Sequence, residues 1–221
     1  MDQKISGPQR AALRKYTELL TSYEGKVRLT GPTDAETIWK DHVEDCLFTV
    51  PCLPPQGRII DVGSGGGLPG LVWAILRPEL EVTLLDSTKK KCAAMEEISS
   101  ALELTNVRVA WGRCEEFALS ERESFALAGA RAVAETGILA EFLSPLVMQG
   151  GRALAMKGPK YAEELAPLKG KWHRLGFDEP AILPYTNQSK SGFLLLWQKS
   201  GPCPPEFPRK TGMASKKFWW R

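Results

Sequence analysis

The run Arg58-Ile-Ile-Asp-Val-Gly-Ser-Gly-Gly-Gly-Leu-Pro-Gly70 decides how the rest of this chain is read. A short apolar strand reaches Asp61, a glycine-dense turn follows at once, and Pro69 opens an apolar helical stretch through Leu76. Glycine lacks a Cβ, so the turn can bend sharply and let a ligand approach the backbone. Strand, glycine loop and helix in that order hold a nucleoside-containing cofactor at the end of a strand.

Downstream of residue 58 the pattern alternates. Strands are expected at 58–62, 82–85, 107–111, 125–130 and 152–156, with helices at 69–77, 88–102 and 135–148 between them. Gly150-Gly151 reads as a turn into the strand at 152–156. Such repetition predicts parallel strands joined by right-handed crossovers, with helices on both faces. The apolar strand 193–198 is separated by no helix from a weaker one at 181–183, so these two are expected to form an antiparallel closing hairpin. The fold class is therefore α/β and Rossmann-like. Upstream, Leu13, Tyr16, Leu20 and Tyr23 recur at helical spacing and predict a helix over 8–23. A second helix is expected at 34–48, started by a Thr33–Glu36 capping box and carrying Ile38, His42 and Cys46 on one face. Pro51, Pro54 and Pro55 then break the chain. We divide it into an N-terminal helical extension (1–55), a core (56–200) and a basic, aromatic C-terminal tail (201–221).

The 221 residues, 43% hydrophobic and 25% charged, suit one globular core with an appendage. A net charge of +3 is too small to demand a polyanionic partner by itself. The longest apolar runs fall far short of the ~20 residues of a membrane span, and Met1–Arg10 lacks the apolar core of a signal peptide. No membrane partner is expected. The five cysteines form no C-x-x-C pair, and His42 and His173 are the only histidines, so no metal site is expected. The cysteines read as small core residues of a reduced, cytosolic protein, expected as a monomer.

Several expected strands end in a polar residue at one edge: Asp61, Asp86, Glu115 just after its strand, Arg131 and Lys157. Open parallel sheets bind ligands at that edge. Gly65-x-Gly67-x-x-Gly70 satisfies the dinucleotide fingerprint. Asp61-x-Gly63-x-Gly65-x-Gly67 fits better with a loop for S-adenosylmethionine, which has no pyrophosphate to cradle. Asp86 can take both ribose hydroxyls in either case, or cap the following helix, as Ser87 or Thr88 also could.

At this point the chain resembles the RsmG (GidB) family of 16S ribosomal RNA guanine-N7 methyltransferases. The resemblance is carried by Arg28-Leu-Thr30, His42-Val-Glu-Asp45-Cys-Leu47, the 61–70 loop and Leu84-Leu-Asp-Ser-Thr-Lys-Lys-Lys91. It continues through Gly112-Arg-Cys-Glu-Glu116, Ala130-Arg-Ala-Val-Ala134, Gly150-Gly151, Met156-Lys-Gly158 and Phe207-Pro-Arg-Lys-Thr-Gly212. Cys46 stands where the family usually has serine, Cys114 where alanine or valine is usual, and the tail ends in Lys217-Phe-Trp-Trp220 instead of a proline-leucine ending. The resemblance implies a class I S-adenosylmethionine-dependent methyltransferase fold and a target at position 527 of 16S RNA, on free RNA or in the small subunit. It implies S-adenosylmethionine, released as S-adenosylhomocysteine, held by Gly63, Leu68, Asp86, Ser87, Thr88, Cys114, Glu115 and Arg131; the reading of the glycine loop adds Asp61, Ser64, Gly65 and Gly67 to the expected cofactor site.

Guanine N7 carries a free lone pair in the major groove, so methylation there needs no general base. The positioning candidates are Arg131, His42, Asp45 and Lys157. His42 also continues an apolar stripe and reads equally as a packed histidine. In the tail, Arg209, Lys210, Lys216 and Lys217 are interleaved with Phe207, Phe218, Trp219 and Trp220. The cations suit phosphates and the rings suit unpaired bases, or the rings pack back on the core. Competing functions are a methyltransferase for another nucleotide, a non-catalytic RNA-binding assembly factor and a nicotinamide oxidoreductase.

Overall fold

The computed structural model describes residues 5–23, 26–31, 34–187 and 191–221. Among them, seven strands form one sheet in the order β3-β2-β1-β4-β5-β7-β6. The strands are β1 Gly57–Val62, β2 Leu80–Asp86, β3 Val107–Trp111, β4 Phe125–Arg131, β5 Val147–Lys157, β6 Ala181–Thr186 and β7 Ser191–Gln198. β1 to β5 pair in parallel, and β7 runs antiparallel to β5 and to β6. The expected α/β sheet with its closing hairpin is the observed one. Its inner strands are apolar almost throughout because helices cover both faces. Trp73, Leu84, Met95 and Ile98 lie in the core on one side; Phe125, Leu143, Trp172 and Trp197 lie in the core on the other.

Helix α1, Gly7–Thr21, starts at Ser6 in a capping box with Gln9 and buries Leu13, Tyr16 and Leu20. The next helical stretch differs from expectation in two ways. Thr33 lies outside the described residues, and the cap is Asp34, whose carboxylate accepts the Thr37 N–H at 2.8 Å. The stretch is also not uniform: α2 (Ala35–Ile38) passes through a π-turn (Trp39–Val43) into α3 (Glu44–Leu47). A π-turn adds a residue, so positions 38, 42 and 46 no longer stack; Ile38 and Cys46 are buried while His42 is only half-buried.

Further along lie α4 Gly70–Leu76, α5 Lys89–Ala101, α6 Cys114–Ser120, α7 Thr136–Leu143 and α8 Tyr161–Leu165. The helix expected over 135–148 stops at Leu143. Pro145 has no N–H to continue it, and Val147 already belongs to β5. Gly150-Gly151 is not a turn but the interior of β5, where the register with β4 slips. The bulge is tolerated because Gly150 takes φ +83°, and a Cβ at 151 would sit 2.8 Å from the Ala126 carbonyl.

The tail forms no helix or strand, yet it is packed. Phe207, Trp219 and Trp220 are at most 5% exposed. The Trp219 indole donates to the Gly137 carbonyl at 2.7 Å, and the Trp220 ring fills the space a side chain at 137 would need. Burying one such ring removes ~150–250 Å² of surface, worth about 4–6 kcal/mol at ~25 cal/mol/Å². One base–aromatic stack offers ~1–3 kcal/mol, so these rings pack back rather than wait for bases.

Candidate active site at the carboxyl edge of the sheet

The strand order reverses between β1 and β4, and a crevice opens at such a switch point. The glycine loop leaving β1 lies in it. Gly63, Gly65 and Gly67 have φ of +72°, +59° and +93°, a region that penalises any side chain. At Gly63 the space is also taken, since a Cβ would lie 2.6 Å from Val133 Cγ2.

The loop is pinned from several sides. The Ser64 hydroxyl donates to the Asp61 carbonyl at 2.7 Å, and the buried Tyr16 hydroxyl, from α1, donates to the Gly66 carbonyl at 2.8 Å. Asp86 accepts from the Gly65 N–H at 3.0 Å with one oxygen and from the Thr88 N–H at 2.8 Å with the other. Asp61 is fully buried and accepts the Gly70 N–H at 2.9 Å; among the described residues its Oδ1 has no hydrogen-bond partner. Burial pushes the Asp61 carboxyl up to about 7, against the opposing pull of the Gly70 N–H and of Arg131.

Two cavities flank the loop and share Gly63. One, of about 310 Å³, is lined by Arg28, Thr30, His42, Ser64, Lys91 and Arg131 with the faces of Gly63, Gly65 and Leu68, and by no acid among the described residues. The other, of about 280 Å³, is lined by Asp86, Ser87, Cys114, Glu115, Val133 and Phe142. The tail closes its outer side with Thr211, Gly212 and Ser215. The Gly212 N–H donates to Glu115 at 3.1 Å, and the Thr211 hydroxyl to Glu116 at 3.1 Å.

Arg131, at the end of β4, lies between the first cavity and α3. Its guanidinium donates to the His42 carbonyl at 3.2 Å and to Cys46 Sγ at 3.5 Å, and it contacts His42 Nδ1. Burial alone would loosen its proton, but the Asp45 carboxylate and the hydrogen bond to Cys46 reverse that and raise it. Asp45 is 3% exposed. It hydrogen-bonds the Tyr185 hydroxyl, which burial and this carboxylate push upward. Burial raises the Cys46 thiol to about 12, so it stays neutral beside the cation.

The expected cofactor residues thus divide. Ser64, Gly65, Leu68 and Arg131 face one cavity, Asp86, Ser87, Cys114 and Glu115 the other, and Gly63 both. Asp61, Gly67 and Thr88 line neither; they brace the loop, and a Cβ at Gly67 would strike Leu71 at 2.5 Å. Of the positioning candidates, Arg131 and His42 meet at the cavity with Asp45 behind them. Lys157 is committed elsewhere, to Glu164 at 2.6 Å and the Ala134 carbonyl at 3.1 Å. Arg209 likewise makes a two-pronged ion pair with the 2%-exposed Glu141, at 2.7 and 2.6 Å, while Lys210, Lys216 and Lys217 are exposed. The lining residues Arg28 and Lys91 were absent from the expected set, although both sit in the segments that carried the resemblance. The tail's contribution had no local signal.

A sheet of this order with its crevice between β1 and β4 is the fold of the α/β methyltransferases. It is shared with an rRNA methylase from Streptococcus thermophilus (TM-score 0.53, 19% identity, covering 72% of this chain and 95% of that one). It is shared also with a 16S rRNA (adenine(1408)-N(1))-methyltransferase from Catenulisporales acidiphilia (TM-score 0.57, 12% identity, 73% and 93%). More specifically, the chain belongs to the rRNA small subunit methyltransferase G (GidB) family, whose model matches residues 9–190. Relatives named ribosomal RNA small subunit methyltransferase G include those of Moorella thermoacetica, 38% identical over 95% of this chain and 90% of that protein, and Symbiobacterium thermophilum, 35% identical over 93% and 88%.

Proposed function

We propose that this protein transfers a methyl group from S-adenosylmethionine to N7 of a guanine in small-subunit ribosomal RNA. The carrying observation is the pair of cavities that meet at Gly63, one holding the acids Asp86 and Glu115 with Arg113 beside them, the other holding Arg28, Lys91 and Arg131 and, among the described residues, no acid. When bound, the donor supplies an electrophilic sulfonium methyl. Its nucleoside half fits the cavity where Asp86 can take the ribose hydroxyls and Glu115 and the Cys114 backbone can meet the adenine edge. Its carboxylate end, and beyond it the phosphate of the target nucleotide, suit the cavity of Arg28, Lys91 and Arg131. The positive-φ glycines leave the backbone bare where the two halves join.

The chain's own groups do little proton chemistry. N7 offers its lone pair directly, so no side chain has to remove a proton. The task is alignment and exclusion of water. Arg131, fixed by His42 and Cys46, is preorganised to place the base. Asp45 and Tyr185 hold that arrangement from behind. Membership of the family supports rRNA as the substrate, and a crevice built for positioning suits a ring nitrogen acceptor.

The decisive experiment incubates the protein with small ribosomal subunits and labelled donor, then maps modified guanines. N7 methylation at a single guanine is expected. Absence of label on every assembly intermediate would overturn the proposal.

A further inference from the structure

Cations interleaved with rings, the pattern expected to make the tail an RNA surface, occur elsewhere in the fold, at the exposed end of β3. Trp111 is 63% exposed, whereas each of the other six tryptophans is at most 4% exposed. Its ring is not loose: Nε1 donates to the Ser87 carbonyl at 3.1 Å, and the Lys89 ammonium lies 5.5 Å from the ring centroid. Lys90, the neighbour of Lys89, and Arg113, two residues after Trp111, are exposed as well.

Two further observations bear on the partner, its charge and its place. The first turn of α5 carries Lys89, Lys90 and Lys91 and no acid. A helix N-terminus already bears partial positive charge and favours acids, so three lysines there oppose local stability and concentrate positive potential. The position is also specific. Trp111 pairs in register with Asp86, and the next two residues, Gly112 and Arg113, line the acid-bearing cavity. The platform therefore stands one strand away from the donor site.

We infer that Trp111 is a stacking platform for an unpaired base of the ribosomal RNA, next to the nucleotide that enters the crevice, with Lys89, Lys90 and Arg113 holding the flanking phosphates. This rests on the functional reading above and adds a substrate contact to it. An aromatic face accepts any base, so the contact supplies affinity and register rather than sequence choice.

The test uses the full chain. Tryptophan emission is followed while a mixed-sequence single-stranded RNA oligonucleotide is added; because the other indoles are buried, saturable quenching reports Trp111. Methylation kinetics on small ribosomal subunits and calorimetric binding of S-adenosylhomocysteine are then compared for the parent protein, Trp111→Ala and Trp111→Phe. Expected are loss of the quenching in both variants and a KM for subunits raised roughly tenfold in Trp111→Ala, the loss of one stack. kcat and product affinity should stay within about twofold. Trp111→Phe, which keeps a ring but loses the Ser87 hydrogen bond, should recover most of the KM. A purely structural role predicts the reverse, with both variants equally impaired, and would overturn the inference, as would an unchanged KM in Trp111→Ala. If the parent protein methylates no subunit at all, the functional reading fails instead.

Discussion

At the scale of single residues, Asp61 is where the loop's geometry costs most. Its carboxyl is fully buried with one oxygen satisfied, and it keeps its proton up to about pH 7. In the unfolded chain an aspartate lets go near ~3.9. Between those values the folded state holds one more proton, so stability falls as pH rises through this window. The contribution is whole below the lower value and gone above the upper one. The gap between the folded and unfolded values sets a ceiling of about 4 kcal/mol on that contribution. Asp61→Asn keeps an acceptor for the Gly70 N–H and removes the titration. Urea unfolding at pH 5 and pH 8 is expected to show a smaller loss of stability between the two for the variant than for the parent; equal losses would show that Asp61 does not titrate there. The sequence made Asp61 legible as the acid of a cofactor loop. It did not reveal that the side chain points down to Gly70 rather than into a cavity, because the Asp-x-Gly-x-Gly spacing is the same for a contact and for a brace.

At the scale of elements, the tail shows how composition misleads. Five cations and four aromatics in the last fifteen residues say nothing about which way the rings face; that depends on Gly137, 83 residues before Trp220, leaving room for its ring. The strands, their parallel pairing and the closing hairpin were readable because alternating apolar runs and crossovers are local patterns; their order in the sheet was not. The end of α7, the bulge at Gly150 and the docked tail are settled by tertiary partners. The ion pair of Arg209 with Glu141 ties the tail to α7. Arg209→Met leaves a buried, uncompensated carboxylate and is expected to lower stability by about 3 kcal/mol. Adding Glu141→Leu should recover most of that loss. Because Thr211 and Gly212 close the acid-bearing cavity and hold Glu115 and Glu116, the single variant should also bind S-adenosylhomocysteine more weakly. Chemical denaturation and calorimetry on both variants check this; additive stability losses in the double variant would show that the pair does not interact.

At the scale of the whole molecule, a net charge of +3 conceals an uneven surface. The sheet's carboxyl edge collects Arg28, Lys89, Lys90, Lys91, Arg113 and Arg131 around the crevice. At the opposite end of α5, Lys15 caps the helix through the Ala101 carbonyl, about 20 Å from Lys89 at 1.5 Å per residue. Arg58, at the start of β1, is neutralised by Glu121. RNA that approaches the crevice edge-on therefore meets cations whose phosphate contacts release counterions, and each such contact steepens the salt dependence of binding by about 0.7–0.9 in log–log slope. Replacing Lys89 and Lys90 with alanine is expected to lower that slope by about 1.5 and weaken binding of any RNA sequence alike. Lys15→Ala, a charge removed at the far edge, should leave it within error. Filter binding of ribosomal RNA fragments across a salt series separates the two. Equal effects per charge from near and far lysines would mean that the protein responds to RNA only through its overall charge, and the crevice would lose its claim to face the substrate.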